Sequence, residues 1–316
     1  MKRIKTLTSE IPIFFSTDDN YIPFLDVAIR SLIENASKDY RYRIIVLNTG
    51  LSKESVKTVK QNECEGFAIE FADISRDVEK IKSSFKHVYH FTVAAYYRLF
   101  IASLFTQYKK IIYLDCDLIV TGDISKLYNT HLGDNIIAAA PEQFVQSTPE
   151  FRAYAKYALG LDPDRYVNSG VLVIDLEKFR KHQIEEQFVH LITEYSFDLI
   201  DPDQAYINYL CRGRISLLPN GWNKTPLPTE CIGEKSIVHY ALYKKPWQYD
   251  DVIDGEYFWE YAKKSPFYAE ILRRRESFGE RERAEKEAAA REIVEHATRV
   301  IASGYTFAEK LEKIAI

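Results

Sequence analysis

The sequence predicts an α/β fold in which a mixed, mostly parallel sheet is flanked by helices and followed by a helical C-terminal extension. Apolar runs with strand character alternate with segments whose apolar residues recur at helical spacing, and this alternation is typical of βαβ units. The chain has 316 residues, of which 46% are hydrophobic and 28% charged, so it can bury a sizeable core. Beyond residue 256 the strand pattern gives way to charged, alanine-rich helical segments.

The first half of the chain predicts four strands, beginning with the run IPIFFS. Each later strand is reached through a polar loop and a segment with helical spacing of its apolar residues. The predicted strands are 11–16, 42–48, 67–73 and 109–120, and the predicted helices are 24–35, 52–61, 75–84 and 93–105. Thr92 is expected to be the N-cap of the last of these helices, because its hydroxyl can accept from a free N–H of the first turn.

The second half predicts further strands and then a change of character. The strands are 135–142, 167–175, 214–219 and 236–241, and the helices are 184–195 and 203–210. The compact part ends near Trp247, and the sequence contains no internal repeat. We therefore divide the chain into a main domain, 1–255, and a helical C-terminal segment, 256–316.

The longest predicted helix, 280–302, lies in the C-terminal segment and carries one apolar stripe. The stripe consists of Ala290, Ile293, Val294, Ala297, Val300 and Ile301. Such a stripe is typical of a solvated helix that packs one face on the protein body or on a partner subunit. The five arginines within 273–283 lie beside aromatic residues and leave a second interpretation open, a peripheral membrane contact, which the interspersed glutamates weaken.

Composition and motif content exclude several classes of protein. The formal net charge of −4 argues against nucleic acid as a partner, because whole-chain nucleic-acid binders are normally basic. The 4 cysteines form no CxxC pair, which excludes a zinc knuckle and a redox dithiol. Neither GxGxxG nor GxxxxGK[ST] occurs, so a Rossmann dinucleotide site and a Walker ATP site are not expected. The early apolar run IPIFF is too short for a signal peptide, and we expect a cytoplasmic protein.

Two aspartates interrupt the apolar run YLDCDLIV at 113–120. Carboxylates are seldom buried unless they are paired or bound to a metal, so Asp115 and Asp117 need a partner. If the strand continues through both residues, they share one face; if it ends between them, they converge at its carboxyl end, where open α/β sheets bind ligands. Either geometry suits a shared divalent cation such as Mn²⁺ or Mg²⁺.

Two other segments supply groups that suit a phosphorylated ligand. His239 lies in IVHYALYKKPW, where its imidazole can be a third ligand to Mn²⁺ and the cations of Lys244 and Lys245 suit a diphosphate. The polar loop STDDN directly follows the first predicted strand. Its acids can cap the next helix, and an acid at this place can also accept from a ribose or a base.

Seven motifs, in this order, resemble those of glycosyltransferase family 8. They are FFSTDDNYIPFLDVAIRSL, AYYRL, IIYLDCDLIV, GDISKLY, YVNSGVLVIDLEKFR, DPDQAYIN and IVHYALYKKPW, and they extend from about Ile11 to Trp247. The chain looks most like the bacterial lipooligosaccharide α-galactosyltransferases, which the family includes together with glycogenin. The resemblance implies a nucleotide-diphospho-sugar transferase fold, with residues 1–255 as the nucleotide-sugar-binding catalytic domain.

The resemblance also implies an activity. A family member of this kind transfers a hexose from UDP-galactose or UDP-glucose to a saccharide or glycolipid acceptor, retains the anomeric configuration and uses Mn²⁺ or Mg²⁺. Such an enzyme would work in the cytoplasm or at the inner face of the membrane, in lipopolysaccharide or polysaccharide biosynthesis. The sequence leaves open which of the two donors is used.

The resemblance assigns roles to particular residues by position. The metal ligands would be Asp115, Asp117 and His239; the nucleotide pocket Ser16, Asp18, Asn20 and Tyr21; the surroundings of the transferred sugar Arg98, Asn168, Asp203 and Gln204; and the diphosphate contact Lys245. Gln204 would lie on the face where a nucleophile is needed, but an amide is a poor nucleophile. We therefore favour a front-face reaction in which the leaving phosphate takes the acceptor's proton, through an oxocarbenium-like state.

One departure from the family pattern concerns the diphosphate site. Family members commonly have HxxGxxKPW, whereas HYALYKKPW has Leu242 in place of the glycine, which would permit a closer approach of the backbone to a phosphate. Leu242 keeps open a family member that binds a UDP-sugar with weak or no turnover. A phosphatase of the haloacid-dehalogenase type, which also uses a DxD after a strand, is the alternative from another enzyme class.

Overall fold

The computed structural model describes residues 9–82, 93–242 and 244–311. The strands in these residues are β1 Glu10–Ser16, β2 Arg41–Asn48, β3 Phe67–Asp73, β4 Lys110–Leu114, β5 Leu118–Val120, β6 Ile137–Pro141, β7 Val167–Asp175, β8 Ile215–Leu217 and β9 Ile237–His239. The α-helices before residue 255 are α1 Ile22–Asn35, α2 Lys53–Val59, α3 Ser75–Lys82, α4 Ile101–Leu104, α5 Ile124–Tyr128, α6 Gln143–Ser147, α7 Pro149–Ala153, α8 Leu176–Lys181, α9 Ile184–Glu194 and α10 Pro202–Leu210. Those after it are α11 Gly255–Ala262, α12 Tyr268–Ser277, α13 Glu280–Ala302 and α14 Phe307–Leu311.

The strands form a 7-stranded sheet in the order β3-β2-β1-β4-β7-β6-β8 and a 2-stranded sheet of β5 and β9. In the large sheet β7 runs antiparallel to β4 and β6, and the other neighbours are parallel. The predicted α/β class with a mixed, mostly parallel sheet is therefore confirmed. Because β7 is antiparallel to β4, the beginning of β7 lies beside the carboxyl end of β4.

Helices cover both faces of the large sheet, since successive residues of a strand point to opposite sides. Phe14 and Ile45 contribute to the core on one face, and Phe15 and Val46 to the core on the other. A third cluster of buried residues joins α1 and the small sheet to α11 and α12. These three cores fix the strand ends that carry the polar residues described below.

The C-terminal helix α13 packs its apolar stripe on the protein body. Ala297 and Val300 are buried in the larger core, and Ile293, Val294 and Ile301 pack against it. This confirms the interpretation of α13 as a helix with one packed face. Three of the arginines near it lie over aromatic rings of the protein, Arg274 over Phe24, Arg275 over Trp259 and Arg283 over Tyr249. Among the described residues, no helix is both long enough and apolar enough to cross a membrane.

The predicted strand 109–120 is divided in the structure. β4 ends at Leu114 and β5 begins at Leu118, so that Asp115 and Asp117 lie between two strands of different sheets. The last backbone hydrogen bond to the large sheet is the one that the Asp115 N–H donates to the Gly170 carbonyl. Two residues later the Asp117 carbonyl accepts from the Tyr240 N–H, next to the small sheet. Of the two geometries that the sequence allowed, the structure has the one in which the first strand ends before the acids.

The predicted helix 93–105 also differs in detail. A 3₁₀-helix spans Val93–Leu99 and is followed by the short helix α4, while the predicted N-cap Thr92 lies outside the described residues. Tyr96, Tyr97, Leu99 and Phe100 are all buried in the same core. Because this segment is buried on several sides, its packing rather than its helix propensity sets the tighter turn.

Candidate functional site

The candidate site lies where several strand ends meet. β1 and β4 are parallel neighbours, so the loop 17–21 after β1 and the acids after β4 leave the same edge of the sheet. The beginning of β7 brings Gly170 next to Asp115, and the end of β9 brings His239 next to Asp117. The fold thus gathers residues that are more than 120 positions apart in the chain onto one edge.

Asp115, Asp117 and His239 form the candidate metal centre. One ligand atom of each lies within 4.8 Å of the others. His239 Nε2 is 3.1 Å from Asp117 Oδ1 and 3.8 Å from Asp115 Oδ2. Two carboxylates and an imidazole are a donor set that Mn²⁺ accepts, and the three residues therefore fit a divalent cation.

Gly170 keeps the space between these side chains open. A Cβ atom at this position would lie 2.3 Å from His239 Cε1 and 2.6 Å from Asp115 Oδ2, which is far inside van der Waals contact. The glycine is needed for the close approach of the two ligands rather than for its backbone angles. The sequence motif VNSG contains it, but the pattern alone gave no reason to assign it a role.

A buried line of amides fixes the orientation of His239. Its Nδ1 lies 2.8 Å from Asn223 Oδ1, so Nδ1–H donates to the amide and Nε2 faces the two acids. Asn223 Nδ2 donates to Asn168 Oδ1, also at 2.8 Å, and Asn168 Nδ2 donates to Glu142. Asn168, which the resemblance assigned to the sugar, thus also supports the metal centre through Asn223.

Lys245 contacts the candidate metal centre from the other side. Its ammonium donates to Asp117 Oδ2 and to the Tyr240 carbonyl. Burial alone would raise the pKa of Asp117, but the charges of Lys245 and His239 outweigh it and lower that pKa below its usual value. Asp117 therefore remains ionised and available to a cation throughout the physiological range.

Leu242 lies on the segment that carries Lys245. Its φ angle is 61°, in the left-handed region that glycine adopts without strain, and its side chain is 42% exposed. The backbone at Leu242 thus has a conformation that a glycine would adopt without strain, although the residue carries a side chain. Lys244, by contrast, points to the surface, where it pairs with Asp251 at 2.9 Å.

Arg98 connects the candidate metal centre, called the metal side below, with the DPDQ segment. The side chain is 5% exposed and lies over the Tyr113 ring, 4.3 Å from its centroid. Arg98 Nη2 donates to Asp115 Oδ1 at 2.8 Å, and Nε lies 3.5 Å from Asp203 Oδ2. The guanidinium therefore holds one acid of each group in a fixed position.

The DPDQ segment, 201–204, forms the other part of the site, which we call the sugar side after the role that the resemblance assigned to Asp203 and Gln204. Gln204 Oε1 accepts from the Ser169 N–H and its Nε2 donates to Asp201 Oδ2, both at 3.0 Å. Asp201 also accepts from the hydroxyl of Tyr166 at 2.5 Å. Burial raises the pKa of Asp201 to about 7 and also raises the pKa of Glu142 and that of Asp203.

A cavity of about 240 Å³ lies beside these groups. It is lined by Ser16, Thr17, Asp18, Tyr21, Ala94, Ala95, Arg98, Tyr113, Asp115, Cys116 and Asp117. Six residues of the predicted site thus share one cavity although they come from three segments of the chain: Ser16, Asp18, Tyr21, Arg98, Asp115 and Asp117. Ser16 lines this cavity although its Oγ is itself buried.

The acids of loop 17–21 serve the local fold, but they do not cap the following helix as the sequence suggested, because the N-cap residue of α1 is Tyr21 and no side chain of the described residues bonds the free N–H groups of its first turn. Asp18 Oδ1 accepts from the Tyr21 N–H at 3.0 Å and so supports the turn before α1. Asp19 instead accepts from Ser55 Oγ at 2.8 Å, near the start of α2. Asn20 is exposed and does not line the cavity, although its neighbour Tyr21 does.

A family model described as "Glycosyl transferase family 8" matches residues 12–251. The general stress protein A of Bacillus subtilis is 28% identical over 253 residues, which are 73% of this chain and 85% of that protein. The lipopolysaccharide 1,2-glucosyltransferase of Escherichia coli K12 is 27% identical over 261 residues, 76% of this chain and 74% of that protein.

Solved structures share the fold. The galactosyltransferase LgtC, solved in complex with donor and acceptor sugar analogs, superposes with a TM-score of 0.67 at 25% identity, over 81% of this chain and 96% of that one. This likeness confirms the nucleotide-diphospho-sugar transferase fold that the motifs implied. The matched residues end before α11, so the helices α11 to α14 lie outside the family match.

Proposed function

Because this chain belongs to glycosyltransferase family 8, we propose that it transfers a hexose, galactose or glucose, from a UDP-sugar to a saccharide or glycolipid acceptor with retention of anomeric configuration. The observation that carries the proposal is the grouping of Asp115, Asp117 and His239 within 4.8 Å beside the cavity of loop 17–21. A similar lipopolysaccharide glucosyltransferase supports an acceptor of this class. The acceptor would be reached in the cytoplasm or at the inner face of the membrane.

Asp115, Asp117 and His239 would hold Mn²⁺ or Mg²⁺. When bound, the cation would neutralise charge on the leaving diphosphate. Lys245 would add a second positive charge there, and its position against Asp117 supports this role. Ser16, Asp18, Asn20 and Tyr21 would hold the uridine, and the position of Ser16, Asp18 and Tyr21 in the cavity wall supports that assignment.

Arg98, Asn168, Asp203 and Gln204 would surround the transferred sugar. Gln204 is held at both ends of its amide, by the Ser169 N–H and by Asp201, and it is therefore suited to orient a sugar rather than to attack it. We favour a front-face reaction in which the acceptor hydroxyl attacks the anomeric carbon while its proton passes to the oxygen of the departing phosphate. Arg98 and Asp203 fix the face of the sugar that is presented to the acceptor.

No specific observation favours the phosphatase alternative, and family membership argues against it. The alternative of a binding protein with weak turnover retains one supporting feature, Leu242 at φ 61°. Turnover therefore has to be measured separately from binding.

Thermal unfolding in the presence of UDP, UDP-glucose and UDP-galactose, with and without Mn²⁺, tests the proposal. A ligand that binds only the folded protein raises its midpoint, and we expect a rise that requires Mn²⁺. Asp117→Ala should abolish the metal dependence, whereas the exposed Asp134→Ala should retain it. If no uridine nucleotide stabilises the protein under any condition, the proposed donor class is wrong.

Turnover is measured as hydrolysis of each UDP-sugar and then as transfer to a panel of saccharides. We expect UDP release that depends on Mn²⁺ and is lost in Asp117→Ala. NMR of the product reports whether the anomeric configuration is retained. Binding without any UDP release would favour the binding-protein alternative.

A further inference from the structure

Helix α12 lies outside the family match and yet contacts both sides of the proposed donor site. Its residue Ile271 is completely buried in the cluster that contains Phe24 of α1 and Trp247 of the KKPW segment. Two consecutive arginines near the end of the helix, Arg274 and Arg275, then reach toward different parts of the body. The helix is thus anchored by an apolar contact and extends two cationic side chains from it.

Arg274 contacts the loop that would bind the nucleotide. Its Nη1 donates to the Asn20 carbonyl at 2.6 Å and its Nη2 donates to Glu270 Oε1 at 2.5 Å. The guanidinium also lies over the Phe24 ring, 5.5 Å from its centroid. Asn20 is exposed, so this contact to its carbonyl restrains a residue that has little packing of its own.

The other contacts of helix α12 lead to the segment that carries Lys245. Phe24, beneath Arg274, stacks on Trp247 with ring centroids 3.8 Å apart and an interplanar angle of 17°. Arg275 pairs with Asp250, three residues after Trp247, and lies 4.7 Å from the centroid of the Trp259 ring. Helix α12 therefore connects loop 17–21 with the segment that is proposed to hold the diphosphate.

We propose that Arg274 is a positioning residue for the donor nucleotide, and that it acts by holding the Asn20 carbonyl and hence the conformation of loop 17–21. The inference rests on the proposed function. It gives the C-terminal segment a part in donor binding, although that segment does not line the cavity. Arginine suits this role because its planar fork bonds the carbonyl and the carboxylate of Glu270 at the same time, which a lysine cannot do with the same geometry.

Binding of UDP in the presence of Mn²⁺ to the full chain tests the inference by calorimetry. Arg274→Gln should weaken UDP binding about 5-fold, the loss expected for one hydrogen bond to the loop. Arg274→Lys should lie between this variant and the wild type. Arg273→Gln, which removes the same charge from the neighbouring exposed position, is the matched control and should bind UDP like the wild type.

Two readouts separate positioning from a general loss of structure. The affinity for Mn²⁺ alone should not change in Arg274→Gln, because Arg274 contacts neither Asp115, Asp117 nor His239. In UDP-sugar hydrolysis KM should rise about 5-fold while kcat stays within about 2-fold, since the reacting groups are untouched. A variant that merely destabilised the fold would lower the Mn²⁺ affinity as well.

The outcomes distinguish the inference from the proposed function. If the wild type binds no uridine nucleotide, the proposed function fails first. If the wild type binds UDP, and both Arg274→Gln and Arg274→Lys bind UDP with the affinity of the wild type, the positioning role is wrong and the proposed function stands. If Arg274→Gln does not fold, Arg274→Lys decides, and wild-type KM in that variant together with wild-type Mn²⁺ affinity overturns the inference.

Discussion

The metal side and the sugar side of the site hold their carboxylates in opposite ways. On the metal side Asp117 contacts Lys245 and His239, and its pKa is lowered. On the sugar side Asp201 is surrounded by the hydroxyls of two tyrosines and the amide of Gln204, and burial raises its pKa to about 7. Positively charged neighbours stabilise the ionised form of Asp117. The neutral donors around Asp201 only partly offset the loss of hydration of its ionised form. We therefore expect Mn²⁺ binding to depend on the exact geometry of the metal side, and the stability of the fold to depend on pH through the sugar side.

The largest effect on ligand binding is expected from Gly170→Ala. The new Cβ would lie 2.3 Å from His239 Cε1 and 2.6 Å from Asp115 Oδ2, and the two ligands cannot both keep their positions. We expect a loss of about 10- to 100-fold in Mn²⁺ affinity, similar to the loss of an orienting partner in a metal site. Titration of the protein with Mn²⁺, followed by calorimetry, measures it.

The control for this variant is Gly255→Ala, where the nearest atom to an added Cβ is Val252 Cβ at an ordinary 3.4 Å. It should bind Mn²⁺ like the wild type. Wild-type Mn²⁺ affinity in Gly170→Ala would mean that the ion does not bind between Asp115 and His239, and the contrast between the two sides would lose its basis.

The second effect concerns pH and belongs to the sugar side. An aspartate with an unfolded pKa near 3.9 and a folded pKa of about 7 contributes stability that is fully present below about pH 4 and is lost as the pH rises through 7. Asp201→Asn removes this titration. Between pH 4 and 8 the wild type should therefore lose on the order of 4 kcal/mol of unfolding free energy relative to Asp201→Asn.

Urea unfolding of both proteins at several pH values measures this difference. The groups that titrate near Asp201 are Asp203, Glu142, Tyr154 and Tyr166, and their contributions largely cancel when the two proteins are compared. A difference that stays constant across this range would show that Asp201 is ionised at all of these pH values. The sugar side would then resemble the metal side.

Sequence patterns predicted most of the architecture because strand and helix periodicity depend on neighbouring residues. They also selected Asp115, Asp117 and His239, which the structure brings together, since parallel strands deliver the residues that follow them to one edge. The patterns missed the groups that support those residues. Asn223 and Glu142 act through partners 16 and 26 positions away, and a neutral amide or an acid in a loop leaves no periodic signal.

The division of the predicted strand 109–120 also depends on residues that are distant in the sequence. Its residues are apolar and β-branched on both sides of the acids, so the local pattern favours one continuous strand. The interruption depends on β9, which lies more than 110 residues later and pairs with β5 in a second sheet. Such a pairing is decided by tertiary contacts, and the sequence could only leave both geometries open.

The smallest effect is expected from Leu242→Gly, on the segment that carries Lys245. A left-handed conformation costs an L-residue roughly 1–2 kcal/mol, while glycine loses about 0.5–1 kcal/mol more conformational entropy on folding than alanine does. With its φ at 61° and its side chain 42% exposed, Leu242 has little packing to lose. The substitution should therefore raise the unfolding free energy by up to about 1 kcal/mol, which thermal unfolding measures as a rise in midpoint of about 2–4 °C.

Leu242→Ala is the matched comparison, because alanine removes the side chain but keeps the Cβ that makes this backbone conformation unfavourable. It should show no rise in stability. If both variants bind UDP with Mn²⁺ as the wild type does, the leucine affects stability alone; if only the glycine variant binds UDP more tightly, the Cβ at this position limits the approach of the diphosphate. If Leu242→Gly is only as stable as Leu242→Ala, or less stable, the backbone at Leu242 is not strained. The tight fit at Gly170 would then have no counterpart in the segment that carries Lys245.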